Sequence, residues 1–437
     1  MFISNYDGSG TKTKAQVDQE MYEVGGSLFR IKYEEGKWEM VKNDAYNRRI
    51  SAQTMIPFYW DEPILGATQA MGTLANCSGG VTPWGTILTC EENYDLFYGE
   101  TDYADPENPK HFPNEYLDYG WKKFYNNPPE HYGWVVEVDP KTGSAQKLIA
   151  LGRCAHECAT VHAAKNGKIV VYSGDDSNDE CLYKYISDEK GDLKNGKLYV
   201  ADTEAGQWIS MVYEEQPILQ ENFKNQTEVL IRLREAAKLL GATPLNRPED
   251  IEIDPINGAV YISLTNNKTR GDMMGSILKI EEDDPENKCS LTFKASTFLA
   301  GGEETGFACP DNLAFDKMGN LWFTSDISGS SMNKAPYTSF GNNGLFVVPS
   351  FGKDMGKAIQ VASAPNDAEL TGPCFSPDGR TLFLSVQHPG EKTTDLSSPS
   401  SIWPKNDSLL PRPAVICIQG PALDQLNQII DGEGYSI

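Results

Sequence analysis

One pattern limits what this chain can fold into: a short apolar strand entered from a glycine turn, repeated five times. The runs start at Gly85 (followed by TILTCEEN), Gly167 (KIVVYSGDD), Gly258 (AVYISLTNN), Gly319 (NLWFTSD) and Gly379 (RTLFLSVQH). Three of them share an upstream strand and an Asp-containing turn, in IEIDPINGAVYISL, LAFDKMGNLWFTS and CFSPDGRTLFLSV. Alternating apolar strands around a tight turn make a hairpin. The glycines are spaced by 82, 91, 61 and 60 residues. Further strand candidates lie at 134–140, 181–186, 196–203, 276–282 and 343–350, each suited to pair as the next strand of its unit.

Units of about four strands at this spacing predict blades. The expected fold class is all-β, a six-bladed β-propeller with a few helical and loop insertions. Five blades come from the visible copies and a sixth from both termini. A parallel α/β fold lacks its crossover helices here. The one strong helical pattern is 226–241, with Val229, Leu230, Leu233, Ala236, Ala237 and Leu240 on one face and Gly241 as its C-cap. A single propeller domain over 1–437 is expected, with 94–130 and 392–412 as insertion loops over one face.

Charge narrows the partners. The chain has 38 Lys plus Arg against 62 Asp plus Glu, a net charge of −24. Such a surface repels phosphate backbones and anionic lipid, so neither nucleic acid nor membrane is an expected partner. It suits a protein that concentrates cations. No apolar run is long enough to span a bilayer, and residues 1–20 show no export signal. Nine scattered cysteines do not make a disulfide scaffold, and an odd number leaves one thiol over. Neither a Gly-x-Ser-x-Gly elbow nor a Walker loop is present.

In a propeller the innermost strands line a channel and end at one face. The strand ends carry Cys90-Glu91-Glu92-Asn93, Asp175-Asp176, Thr265-Asn266-Asn267, Asp326 and Gln387-His388. Polar strand ends are often only solvated turn starts, but equivalent positions of a ring converge by geometry. Further polar clusters are His156-Glu157, Arg247-Pro248-Glu249-Asp250, Pro310-Asp311-Asn312 and Glu369-Leu370-Thr371-Gly372. Oxygen ligands at this density suit Ca²⁺. A thiolate among them suggests an additional transition metal, while the absence of Cys-x-x-Cys and His-x-x-x-His pairs argues against zinc. Cys154 and Cys158 read as small buried residues.

The stretch from Asn76 to Asn93 (NCSGGVTPWGTILTCEEN) resembles the most recognisable segment of the PhoX alkaline phosphatases. Matches follow in the same order. They are Leu151-Gly152-Arg153 with Ala155-His156-Glu157, Tyr172 to Asp176, Arg247-Pro248-Glu249, Leu264 to Asn267, Pro310 to Asp316, and Glu369 to Glu391. The resemblance implies a six-bladed, metal-dependent phosphomonoesterase with two Fe³⁺ and two or three Ca²⁺ ions, acting on small phosphate esters as a monomer. Clustered cations would neutralise phosphate oxygens while an activated oxygen attacks phosphorus in line. It further implies metal ligation by Cys90 (the iron-bridging thiol), Glu91, Glu157, Asp176, Glu249, Asn266 and Glu369. Cys90, Glu91, Glu249 and Glu369 are the expected catalytic residues, with Asn93, Arg153 and His388 on the substrate. Family resemblance also implies a periplasmic or secreted location.

Two features depart from the family pattern. Pro365-Asn366-Asp367-Ala368 stands where many members carry a basic, glycine-containing segment, and cysteines flank Ala155-His156-Glu157. Two other readings stay open: a Ca²⁺-dependent propeller lactonase, which leaves Cys90 idle, and a non-catalytic propeller using the aromatic loop 94–134 as its contact surface.

Overall fold

The computed structural model describes residues 12–112, 119–405, 409–421 and 423. It divides into two compact units, one covering 2–244 and 286–292, the other 245–285 and 293–437. We call these the N-terminal and C-terminal units.

The N-terminal unit holds two blades. The first runs antiparallel through Asn76–Val81, Ile87–Glu91, Val135–Val138 and Ala145–Leu148. The second has five strands, Thr160–Ala163, Ile169–Gly174, Leu182–Ser187, Gly196–Asp202 and Gln207–Ser210. Their core gathers Leu88, Val135, Leu148, Val171, Tyr183 and Val200 with Val229 and Leu233 from the helical segment. The C-terminal unit holds three blades. The third blade comprises Pro248–Ile253, Val260–Leu264, Ser276–Glu282 and Phe293–Ala300. The fourth comprises Pro310–Phe315, Leu321–Ser325, Gly344–Val348 and Ile359–Ser363, and the fifth Glu369–Phe375, Leu382–Gln387 and Ala414–Ile418. Each blade is a meander in chain order, as the glycine-turn hairpins predict.

Five blade sheets are present among the described residues, where six were expected. The segment from 12 to 71 does not complete a sixth. It forms a helix (Lys14–Glu23) and three two-stranded sheets that pair among themselves, such as Gly25–Leu28 with Arg48–Ser51. A parallel bridge from Phe58 to Lys147 then attaches this segment to the last strand of the first blade. Residues 1–11 and 424–437, which were to supply the rest, lie outside the described residues.

The expected helix over 226–241 is two short ones, Gln226–Ile231 and Leu233–Leu239, broken at Arg232. The break has a cause: the Leu230 carbonyl accepts from the Arg153 amide (2.9 Å) rather than from the next helical turn. The loop 94–130 carries a turn of helix at Asp95–Tyr98 and a two-stranded sheet, Glu100–Asp102 with Lys110–Phe112. Its residues 113–118 are not described. Tyr94, Phe97, Tyr98 and Trp121 are buried with Val17 and Met21 of the first helix, so these aromatics form a core cluster rather than a contact surface.

Candidate metal centre

The first strand of each blade, rather than the second, positions the candidate ligands. In the C-terminal unit the first strands of successive blades lie against one another, Pro248–Ile253 on Pro310–Phe315 and Pro310–Phe315 on Glu369–Phe375. Three blades carry a bulge at the same step of that strand. Cys77-Ser78 faces the single residue Cys90, Glu249-Asp250 faces Ser263, and Asp311-Asn312 faces Thr324. In the second blade an isolated bridge between His156 and Asp175 precedes the ladder, which puts Glu157 at the same step. A bulge leaves its extra residue out of the ladder and re-aims the side chain. The residues so presented are Cys77, Glu157, Glu249 and Asp311.

The partner opposite the bulge supports it. Ser263 Oγ accepts from the Asp250 amide (2.8 Å) and donates back to the Asp250 carbonyl (3.2 Å), and Ser173 Oγ donates to the Cys158 carbonyl (2.7 Å). The second bulge residue ties blade to blade. Asp250 Oδ2 accepts from the Leu313 amide (2.8 Å), and Asn312 Oδ1 from the Gly372 amide (2.7 Å). These links bring Glu249 and Asp311 together: their carboxylate oxygens lie within 4.8 Å of each other, on side chains only 2% and 3% exposed. Like charges this close in a buried site require a counter-charge. Arg247 supplies part of it, its guanidinium 2.5 Å from Glu249. Arg247 itself holds a left-handed backbone (φ 54°), a strained conformation of the kind that persists at functional sites.

The other expected ligands divide into three groups. Cys90 is fully buried among Leu88, Trp134, Val135 and Cys154, at the position Ser263 and Thr324 occupy in their blades. Glu91 is committed elsewhere. Its Oε1 pairs with Lys147 Nζ (2.7 Å, both side chains fully buried) and accepts from the Leu74 amide, while Oε2 accepts from the Trp134 amide. Burial pulls the Lys147 amine down, and the Glu91 charge opposes that pull. Asn93 is exposed and donates to Glu92 (2.6 Å).

Arg153 is buried. It donates to the Tyr132 carbonyl (2.8 Å), to the Pro129 carbonyl and to both oxygens of Glu100 (2.9 and 3.1 Å). Beside it Asp175, fully buried, takes a two-point bond from Arg234 (2.7 and 2.6 Å). Asp176 is half-buried, its amide on the Ala155 carbonyl.

In the C-terminal unit Glu369 and His388 come together: Nε2 lies 3.3 Å from Oε2, and Nδ1 faces the Asp367 carbonyl at 3.2 Å. Asn266 instead donates to Cys309 Sγ (3.4 Å), a thiol that burial pushes up to about 11.

Cys77, Arg247 and Asp311 are thus positioned as site residues that the strand-end argument passed over. Their signal was in the sequence. Cys77 and Asp311 lie in a polar pair on a first strand, in NCSGGV and CPDNLAF, and Arg247 stands just before such a strand, in RPEDIEI.

The comparisons with known proteins bear on this arrangement. The family model described as Alkaline phosphatase PhoX matches residues 3–390. The structure of a Pseudomonas fluorescens PhoX, solved in complex with vanadate as a transition state analogue, is 30% identical. That match covers 93% of this chain and 82% of that one, with a TM-score of 0.82. A gluconolactonase from Xanthomonas campestris is 13% identical over 72% of this chain and 69% of its own, with a TM-score of 0.34. No curated protein matches the sequence significantly. The family model spans nearly the whole chain and the propeller class agrees with it: the chain belongs to the PhoX alkaline phosphatase family.

Proposed function

We propose that this chain hydrolyses small phosphate monoesters at a metal centre held by the bulged first strands of its blades. Phosphomonoesterase activity is that of its family. The observation that carries the site is the buried pair Glu249 and Asp311, whose oxygens converge within 4.8 Å. A donor set of buried carboxylates fits hard cations such as Ca²⁺, and the thiol ligand that the family resemblance implies fits Fe³⁺. The proposed complement is two Fe³⁺ and two or three Ca²⁺. When bound, these cations would polarise the phosphate and activate the attacking oxygen.

The proposed ligands are Glu249, Asp311 and Glu369, with Glu157 and Asp176 carried over from the resemblance. For the thiol ligand the register favours Cys77 over Cys90, since Cys77 shares the step of Glu249 and Asp311. Arg247 is the proposed phosphate contact, its planar fork suited to two phosphate oxygens. Arg153 is proposed to hold Glu100 and the 129–132 turn rather than the substrate.

His388 positions Glu369. Its two ring nitrogens face the Asp367 carbonyl and the Glu369 carboxylate. The protein is proposed to work as a monomer in an exported compartment. No described helix is long and apolar enough to cross a membrane.

Elemental analysis with an aryl-phosphate assay, with and without added Ca²⁺, tests this reading. Purified active protein should hold iron and calcium, and neither being present overturns the cofactor assignment. Cys77→Ser should lose iron and at least about a hundredfold in kcat, the scale of removing one electrostatic contact to the reacting group. Cys90→Ser should keep both, because serine and threonine fill that position in other blades. The reverse result returns the ligand role to Cys90.

A further inference from the structure

The C-terminal unit holds a pocket of about 400 Å³ lined by Asp326, Ser328, Ser330, His388, Glu391 and Lys392. His388 joins this pocket to the proposed centre, since its Nε2 touches Glu369. Every one of these side chains carries a polar or charged group. Ser328 Oγ and Ser330 Oγ lie 2.9 Å apart, Lys392 Nζ is 3.5 Å from Asp367, and the Asp326 amide donates to the Cys309 carbonyl (2.8 Å). Between the two serines, Gly329 leaves room for the end of the Glu391 side chain, which a Cβ there would push aside.

A pocket of this make-up discriminates by what it would strand. An aryl or alkyl group entering it would take water from two hydroxyls, an amine and two carboxylates and return no hydrogen bonds, which is costly. A group bearing several hydroxyls would replace that water bond for bond. Sites built to hydrogen-bond a substrate hydroxyl reject analogues that lack it far more strongly than apolar pockets reject a size change. The volume falls within the range of small-molecule sites and has room for a monosaccharide.

We propose that this pocket receives the alcohol part of the substrate and selects phosphate monoesters of small polyhydroxylated alcohols, such as glycerol or a hexose. The inference rests on the reading that Glu369 and His388 belong to the phosphate-hydrolysing centre. The serines and Glu391 would bond the hydroxyls, and Lys392 would donate to a ring or hydroxyl oxygen.

The test compares kcat/KM for glucose 6-phosphate, glycerol 1-phosphate and phenyl phosphate in the metal-loaded protein. It uses the wild type, the double variant Ser328→Ala/Ser330→Ala, and Gly329→Ala, which displaces Glu391. In the double variant the ratio of polyol to phenyl ester should fall about tenfold, the scale of two lost neutral hydrogen bonds. Gly329→Ala should move the ratio in the same direction. An unchanged ratio in both variants overturns the proposal. Should the wild type hydrolyse none of the three, the phosphatase reading fails, and calorimetric binding of glucose 6-phosphate then decides the pocket. Wild type binding at least about fivefold tighter than the double variant supports it, and equal affinities overturn it.

Discussion

At the scale of single residues, identity in a motif did not decide which side chain is free to act. Glu91 stands in the most specific motif of the chain, yet its carboxylate is taken up by Lys147 and two backbone amides inside the first blade. A carboxylate in a buried pair of that kind is worth most when its partner is present, because removing one member leaves the other charge without compensation. Glu91→Gln should therefore cost about 3–5 kcal/mol in chemical denaturation. The protein that remains folded should keep its metal content and most of its aryl-phosphate rate. Loss of metal at undiminished stability would show that Glu91 is a ligand instead. Glu249→Gln should do the opposite, since its neighbour Asp311 is held within 4.8 Å and one charge fewer relieves repulsion in the metal-free protein.

At the scale of elements, the site is a property of the first strand and its bulge. The first residue of the bulge points out of the ladder, the second reaches to the next blade, and the residue opposite ties the bulge down. Asp250 carries the middle duty through Leu313. Asp250→Ala removes the acceptor for that buried amide and should destabilise by about 2–3 kcal/mol, the scale of a hydrogen bond to a charged group. Calcium affinity should fall with it, because the Glu249 and Asp311 strands lose a link. Asp250→Asn keeps an oxygen at that place and should restore most of both. Equal behaviour of the two variants would remove the positioning role.

The strands themselves were legible in the sequence because period-two apolar runs after a glycine turn have few alternatives. Ser276–Glu282 matches its expected span residue for residue. The bulge was not legible, since an extra residue that leaves the ladder does not disturb the apolar pattern that marks the strand. That is why the strand-end argument led to Cys90 and Asn266. Arg247 and Asp311 were in view as members of polar clusters, but their place in the strand, and the claim of Cys77, came only through pairing register. The helix 226–241 failed for a related reason: the Arg153 amide that takes the Leu230 carbonyl is 77 residues away in sequence, and no local pattern reports it.

At the scale of the whole molecule the acidic excess has two parts that salt can separate. A net charge of −24 repels itself across the surface, and any cation reduces that repulsion by screening. A buried pair such as Glu249 and Asp311 is screened far less, and a cation bound there stabilises by mass action. A site filled to about a hundred times its dissociation constant adds about 2.7 kcal/mol, which a melting curve registers as several degrees. Treatment with a chelator should thus lower the melting temperature, and about 1 M NaCl, where the Debye length is about 3 Å, should restore only part of the loss. Adding Ca²⁺ at that same salt concentration should restore more of it. In the Glu249→Gln variant the calcium-specific portion should shrink while the salt portion stays, because that substitution removes a ligand and only one charge of the 62. If NaCl alone recovers the full melting temperature of the untreated protein, the cations serve the surface, and the metal centre proposed on the bulged strands has no share in holding the fold.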